Sequence, residues 1–245
     1  MKAMVLAAGL GTRLRPLTDH RPKALVEVGG RTLLEITLTR LRAFGIREVI
    51  INVHHFAGLI LDFVRTNNNF GMRIEISQEE VLLDTGGGLK KAGWFFMNDG
   101  EESFLLHNVD VISTVDFGRM VEEHKHSKAL ATLAVQKRET SRYLLFDGQA
   151  RLCGRRIVKK GEDEIVRTAE GMEASAFTGI HVISPRLLTM MTENGVFSII
   201  DLYLRLARAG ESIRSFRADE YYWRDLGKLD QVQQAEEDWR GGLFS

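Results

Sequence analysis

The chain has 245 residues, 44% of them hydrophobic and 27% charged, which fits one large α/β domain or at most two small ones. Lys+Arg and Asp+Glu both total 33, so the formal net charge is zero, which argues against a general nucleic-acid binder carrying a basic excess. Cys153 stands alone, which excludes an intrachain disulfide. Residues 1–9 lack a signal-peptide pattern and no stretch approaches the roughly 18 apolar residues of a membrane-spanning helix, so the expectation is a soluble cytoplasmic protein with no membrane partner.

In chain order, residues 4–8 (Met-Val-Leu-Ala-Ala) read as a buried strand, and 33–44 as a helix with Leu34, Leu38 and Leu41 at helical spacing. The run EVIINV at 48–53 predicts a second strand, 57–65 a helix, and 72–77 a third strand with Arg73 and Glu75 facing outward. A helix is expected over 88–96, restarting after a glycine run, and 104–106 lead into His107, Asn108, Val109 and Asp110 as a central strand does. Strand, helix and strand in regular succession predict right-handed crossovers and a mostly parallel sheet. The second half predicts strands at 129–136, 176–183 and 212–216, a hairpin over 143–153 with a tight turn at Asp147-Gly148, and helices over 199–209 and 228–239. No linker, repeat or low-complexity segment interrupts the pattern, so a single domain over 1–245 is the economical expectation.

The first strand runs into Gly9, Leu10, Gly11, Thr12 and Arg13, then Arg15, with Lys23 after Pro22. Glycine permits close approach and positive φ, so successive N–H groups can converge on phosphate oxygens; arginine adds a planar fork and lysine a point charge. That combination predicts a triphosphate site. It is not a Walker A loop, since no G-x-x-x-x-G-K-[ST] occurs, and not a dinucleotide fingerprint, since Leu14 stands at the third glycine position. Asp110 closes an apolar strand, where ligands of open α/β sheets bind and where a carboxylate suits Mg²⁺; taken alone it could equally cap the helix after Thr114. Gly86, Gly87 and Gly88 at a helix start could let backbone groups press against a planar base.

The string L-A-A-G-L-G-T-R-L-R-P-L-T with R-P-K-A-L after it resembles the signature of the sugar-1-phosphate nucleotidylyltransferases. The resemblance continues in order through LLDTGGGLKKA (82–92), LLHNVDV (105–111), AFTGIHVISPRLL (176–188) and YYWRDLGKLDQ (221–231), almost the whole chain. The TGGG segment is most similar to short uridylyltransferases acting on N-acetylmuramate 1-phosphate. The resemblance implies a Rossmann-like, three-layer αβα nucleotidyltransferase domain with a mixed, mostly parallel central sheet. It implies Mg²⁺-dependent transfer of a nucleotidyl group, with UTP or dTTP favoured, to a sugar 1-phosphate, releasing pyrophosphate. It further implies catalytic roles for Arg13 and Lys23, a metal pair in Asp110 and Asp225 (the latter within W-x-D-x-G at Trp223–Gly227), and sugar-phosphate contacts at Asn108, Thr178 and Gly179. Nucleotide contacts are implied at Leu6, Ala8, Gly9, Gly11, Thr12, Gln78, Thr85, Gly86 and Gly87, with Glu79 beside them.

Two departures fall on the acceptor side. The usual Gly-Asp is here Val109-Asp110, and the Glu-Lys-Pro string that binds the sugar phosphate in many relatives is absent, Val158-Lys159-Lys160-Gly161 being the nearest candidate. Other residues read as structural. His54 and His55 point opposite ways on extended backbone, His124 and His126 share a charged, solvated helix end, Cys153 is packing, and Phe95, Phe96 and Trp94 are core and rim. Three alternative functions stay open. One is a cytidylyltransferase for phosphocholine or another non-sugar phosphate, with Tyr221, Tyr222 and Trp223 as an aromatic cage. The others are a non-catalytic nucleotide-sugar sensor and, with the Walker loop missing, a kinase-like phosphotransferase.

Overall fold

Alternating apolar and amphipathic segments become alternating strands and helices in the computed structural model, which describes residues 1–97 and 102–244. The first half contains β1 (Ala3–Leu6), a small hairpin of β2 (Glu27–Val28) and β3 (Arg31–Thr32), α1 (Leu33–Ala43), β4 (Glu48–Val53), α2 (Ala57–Thr66), β5 (Arg73–Gln78), α3 (Asp84–Ala92), β6 (Phe104–Asn108), β7 (Val111–Ser113) and α4 (Phe117–Ser127). The second half contains β8 (Ala131–Gln136), β9 (Arg142–Phe146), β10 (Leu152–Ile157), β11 (Glu162–Ile165), β12 (Glu173–Ile183), α5 (Arg186–Thr189), α6 (Ile199–Arg208), β13 (Ile213–Arg217), β14 (Trp223–Asp225) and α7 (Leu229–Arg240).

The main sheet runs β11-β10-β9-β12-β6-β1-β4-β5, with β8 pairing both β12 and β13. Strands β6, β1, β4 and β5 are parallel, whereas β12 runs antiparallel to β6, β8 and β9. The sheet is therefore mixed, parallel where strand–helix units repeat and antiparallel where hairpins take over. Apolar side chains cover both faces. Ala3 and Val5 of β1 join a core with Leu34, Leu38 and Leu41 of α1, while Met4 and Leu6 join a second core with Leu89 of α3 and Tyr203 of α6. This two-sided burial explains why β1 is apolar at every position, and it makes the three-layer αβα arrangement. Helix α1 is started by Thr32, whose hydroxyl accepts the Glu35 N–H at 3.1 Å. No helix among the described residues is long and apolar enough to cross a membrane.

Several local expectations are corrected. Helix α3 begins at Asp84, so the glycine run lies inside its first turns and not before them. The β9–β10 hairpin does not use a two-residue turn. Asp147 Oδ1 accepts the N–H groups of Gln149 and Arg151, both at 2.9 Å, Ala150 takes φ 62°, and the ladder slips between Leu152 and Gly154. Backbone bonds from the Ala150 N–H to the Asp147 carbonyl at 2.9 Å and from the Asp147 N–H to the Arg151 carbonyl at 3.1 Å close a three-residue loop, which the carboxylate reinforces. His124 is not solvated. It lies on the inner face of α4 with Met120 and Val121, its Nδ1 2.9 Å from Thr132 Oγ1, and burial lowers its pKa to about 4. Cys153 is buried, as a packing residue should be.

β1 and β6 end side by side, Leu6 opposite Asn108. The glycine loop and the Asn108–Asp110 segment therefore leave the sheet at one point on its carboxyl edge, where parallel sheets offer a crevice.

Candidate active site

At that edge the glycine loop leaves β1 and makes one tight turn. Gly11 has φ 66°, and a Cβ on it would come within 3.0 Å of Thr18 and 3.2 Å of Lys23. Thr18 donates its hydroxyl to the Gly11 carbonyl at 2.8 Å. Only glycine satisfies both the backbone angle and the space at this position. A Cβ at Gly9 would meet nothing within 4 Å, so Gly9 faces open space.

The loop is held from below by a network that sequence patterning did not single out. Asn52, inside the apolar run of β4, accepts the Ala7 N–H on Oδ1 at 2.7 Å and donates from Nδ2 to Glu79 Oε1 at 2.7 Å. The other Glu79 oxygen accepts the Leu83 N–H at 2.9 Å. Asn52 and Glu79 are each 2% exposed, so the exits of β1, β4 and β5 and the entry to α3 are tied by buried polar bonds. A lone asparagine in an otherwise buried strand was the available signal. Asn52→Leu is expected to cost about 1–3 kcal/mol for each of the two groups it strands, the Ala7 N–H and the Glu79 carboxylate. Urea denaturation measures this, and a loss below about 1 kcal/mol would mean both groups find other partners.

Two cavities meet above the network. The first, about 370 Å³, is lined by Leu6, Ala8, Gly9, Lys23, Val109 and Asp110 among others; the second, about 940 Å³, is lined by Arg13, Arg138, Thr178, Gly179, Trp223 and Asp225 among others. Asp84, Thr85 and Asn108 line both, so the two cavities share a wall.

The charged residues gather at this junction. Lys23, whose side chain is only 9% exposed, donates its ammonium to Asp110 Oδ2. Asp225 ends β14, whose ladder with β7 pairs it with Val111, and the Leu226 N–H binds the Asp110 carbonyl at 2.8 Å. The two carboxylates are thereby brought together. Burial, and after it the Asp110 charge, pushes the Asp225 pKa up, against the pull of Lys23 and Arg13. Asp225 Oδ1 accepts the Gly227 N–H at 2.6 Å. A Cβ at Gly227 would lie 2.7 Å from both an Arg13 guanidinium nitrogen and Asp225 Oδ1, which puts Arg13 against this glycine. Asp110 does not cap α4; Asp116 does, accepting the Arg119 N–H at 3.0 Å.

The described residues contain no group of three or more His, Cys, Asp or Glu able to cage a metal. Asp110 and Asp225, two carboxylates close enough for one charge to shift the other, nevertheless fit Mg²⁺, which binds through one or two carboxylates, waters and substrate phosphates.

The remaining sequence-derived positions divide. Thr85 lines both cavities, and its hydroxyl accepts the Ile199 N–H at 3.0 Å. Gly86 and Gly87 donate their N–H groups to the Phe197 carbonyl at 3.0 and 3.3 Å. A Cβ at Gly86 would strike the Phe197 ring at 2.5 Å, and one at Gly87 the Gly195 carbonyl at 2.5 Å. These glycines are small because α3 packs tightly on that loop, and their N–H groups are taken by the Phe197 carbonyl. Gln78 is exposed and lines neither cavity, whereas Glu79 lines the first; Thr12 is exposed and lines neither. Thr178 is buried, with its hydroxyl on the Ala134 carbonyl at 2.8 Å. Gly179, at φ 82°, leaves room for Asn108, whose Nδ2 would be 2.7 Å from a Cβ there. Val158 and Lys159 line neither cavity. Tyr221, Tyr222 and Trp223 form no cage. The Tyr222 hydroxyl donates to Asp238 at 2.6 Å, Tyr221 stacks on Phe216, and the Trp223 face is covered by Arg138.

This geometry agrees with the comparisons to known proteins. The profile of the family described as nucleotidyl transferase matches residues 2–240. An N-acetylmuramate alpha-1-phosphate uridylyltransferase from Caulobacter vibrioides is 36% identical over 232 residues, covering 92% of this chain and 91% of that protein. A mannose-1-phosphate guanyltransferase from Yarrowia lipolytica is 31% identical over 93% of this chain and 61% of its own length. Among solved structures, a Bacillus anthracis protein in complex with a sucrose superposes with a TM-score of 0.81 at 20% identity, covering 100% of this chain and 97% of that one, which establishes the same fold. A family profile spanning nearly every residue, a relative matched along almost its full length, and a shared mixed-sheet fold together place the chain in the nucleotidyl transferase family.

Proposed function

We propose that the protein transfers a nucleotidyl group from a nucleoside triphosphate to a sugar 1-phosphate, with UTP or dTTP favoured and Mg²⁺ as the metal. The observation that carries this reading is the meeting of Lys23, Asp110, Asp225 and Arg13 where two cavities share a wall. A donor and an acceptor in adjoining cavities would react at that wall. The uridylyl preference is supported by the TGGG segment and by the name of the Caulobacter relative.

In the reaction an oxygen of the acceptor phosphate forms a bond to the α-phosphorus while the bond from that phosphorus to the bridging oxygen of pyrophosphate breaks. A phosphate dianion needs no proton removed, so the protein's work is positioning and charge neutralisation. The first cavity, with Leu6, Ala8 and Gly9 on its wall, receives the nucleotide, and the open face of Gly9 lets phosphates approach the backbone. Lys23 supplies a buried positive charge, balanced by Asp110 until phosphate oxygens arrive. Arg13 neutralises charge building on the departing pyrophosphate. Asp110 and Asp225 would hold Mg²⁺, which when bound neutralises charge on the phosphates.

A pyrophosphate-release screen of nucleoside triphosphates against a panel of sugar 1-phosphates tests the proposal. Release is expected only when both substrates and Mg²⁺ are present, and faster with UTP or dTTP than with GTP. No release from any pair would overturn it.

A further inference from the structure

The second cavity contains more arginine than its proposed chemistry has used, and the side chains are not equivalent. Arg155 is paired with Glu164 at 2.8 Å and Asp201 at 2.5 Å, and Arg156 grips Asp163 with two bonds of 2.7 Å. Those two are neutralised. Arg142 and Lys228 are exposed side chains on the rim. Arg138, half-buried, makes no ion pair among the described residues, and the carboxylate whose charge reaches it is Asp225 of the same cavity. Its guanidinium lies 3.7 Å from the Trp223 ring centroid and donates to the Phe177 carbonyl at 2.8 Å. No carboxylate among the described residues lies within ion-pair distance of it, and its buried Nε has no hydrogen-bond partner. Trp223 is itself pinned, its indole N–H donating to the Thr178 carbonyl at 2.8 Å.

We propose that Arg138, seated on Trp223, is the cation that receives the acceptor's phosphate monoester, in the place left by the missing Glu-Lys-Pro lysine. The assignment rests on the proposed nucleotidyl transfer and adds the acceptor seat to it. Three observations converge. Arg138 shares its cavity with Asn108, Thr178, Gly179 and Asp225, and it does not line the first cavity. Val158 and Lys159, nearest in sequence to the absent string, line neither cavity. A planar guanidinium already fixed by stacking and one backbone bond loses little entropy on binding and offers its remaining N–H groups to a phosphate. The position beside Asp225 puts a phosphate bound there next to the α-phosphorus it must attack, with the W-x-D-x-G tryptophan as the platform that aims it.

The test compares wild type, Arg138→Met, Arg138→Lys and Arg142→Met in the pyrophosphate-release assay with the best sugar 1-phosphate found. Arg138→Met is expected to raise the acceptor KM roughly tenfold to hundredfold while the nucleotide KM stays within about twofold. Arg138→Lys, which keeps charge but not the fork, is expected to recover part of that loss, and it carries the test if the methionine variant melts early. Arg142→Met is expected to change the acceptor KM by less than about threefold. An unchanged acceptor KM in Arg138→Met, or equal rises for both substrates, overturns the assignment while leaving nucleotidyl transfer intact. If wild type releases no pyrophosphate from any pair, transfer itself fails. Titration with α-D-glucose 1-phosphate followed by ³¹P NMR then decides the seat: binding lost in Arg138→Met supports it, and binding kept in the variant or absent from wild type overturns it.

Discussion

Asp225→Asn is expected to abolish nucleotidyl transfer while leaving the protein at least as stable as wild type, whereas Asp110→Asn is expected to abolish transfer and destabilise the fold. The asymmetry comes from what each carboxylate touches. Asp225 is pushed to a raised pKa by burial and by Asp110, so ionising it in the folded state is less favourable than in the unfolded chain. A raised carboxylate pKa is a penalty that appears as pH rises through the unfolded value, is complete above the folded value, and is relieved as pH falls back through that window. At neutral pH asparagine removes the penalty. Asp110, in contrast, is the partner of the Lys23 ammonium, whose side chain is 9% exposed. Removing the Asp110 charge leaves that ammonium with a neutral partner, at a cost of about 1–3 kcal/mol; Asp110 is itself 25% exposed, so the cost stays below that of a fully buried pair. Both variants lose a carboxylate of the proposed metal pair, so turnover should fall on the order of 10²–10³-fold or more. Urea denaturation and single-substrate kinetics read the two effects separately. Wild-type-like activity with Mg²⁺ in both variants would remove the metal assignment, and equal stability losses would remove the distinction between their environments.

What could be read from the chain follows the range of each signal. β4 was readable to the residue because EVIINV is a β-branched run between polar punctuation, and α1 because its leucines keep helical spacing. The start of α3 was hidden, since three consecutive glycines argue against helix locally; the closeness of Phe197 and Gly195 explains Gly86 and Gly87, and that of Glu79 and Asn52 explains Gly88. His124 was misread because its charged neighbours face solvent while it faces Thr132. At the site, the glycine loop and the strand-end aspartate were local patterns. The Asn52–Glu79 network joins residues 27 apart, and Arg138 on Trp223 joins residues 85 apart in the chain. Neither pair has a local signature; the sheet order creates both contacts. The departures at Val109 and at the missing lysine string pointed to the acceptor side without saying what replaced it. The proposed replacement, Arg138, emerges only from the folded arrangement that stacks it on Trp223 beside Asp225.

Gly227→Ala is expected to lower kcat about 10–100-fold with little loss of stability, because a misplacement of about 1 Å at a reacting centre costs that much while the fold around it can yield. Gly227 is absent from the positive-φ positions, so alanine meets no backbone strain there. Its methyl would stand 2.7 Å from the Arg13 guanidinium and 2.7 Å from Asp225 Oδ1, closer than carbon atoms are tolerated. Arg13 is the far end of a flexible, exposed side chain and can swing away, so the thermal midpoint should fall by no more than a few degrees, about 1 kcal/mol. Asp225 has less freedom, being hydrogen-bonded to the Gly227 N–H at 2.6 Å. The methyl therefore separates the proposed pyrophosphate-neutralising arginine from the proposed metal carboxylate and leaves the first cavity alone, since Gly227 does not line it. Nucleotide binding to the free protein should be nearly unchanged, which isothermal titration with UTP reads directly. A kcat loss with intact UTP binding would mean that the spacing of Arg13 and Asp225 matters in the transition state and not in the ground state. A variant with wild-type kcat would show that Arg13 acts from elsewhere, and its place beside Gly227 would then be a resting position.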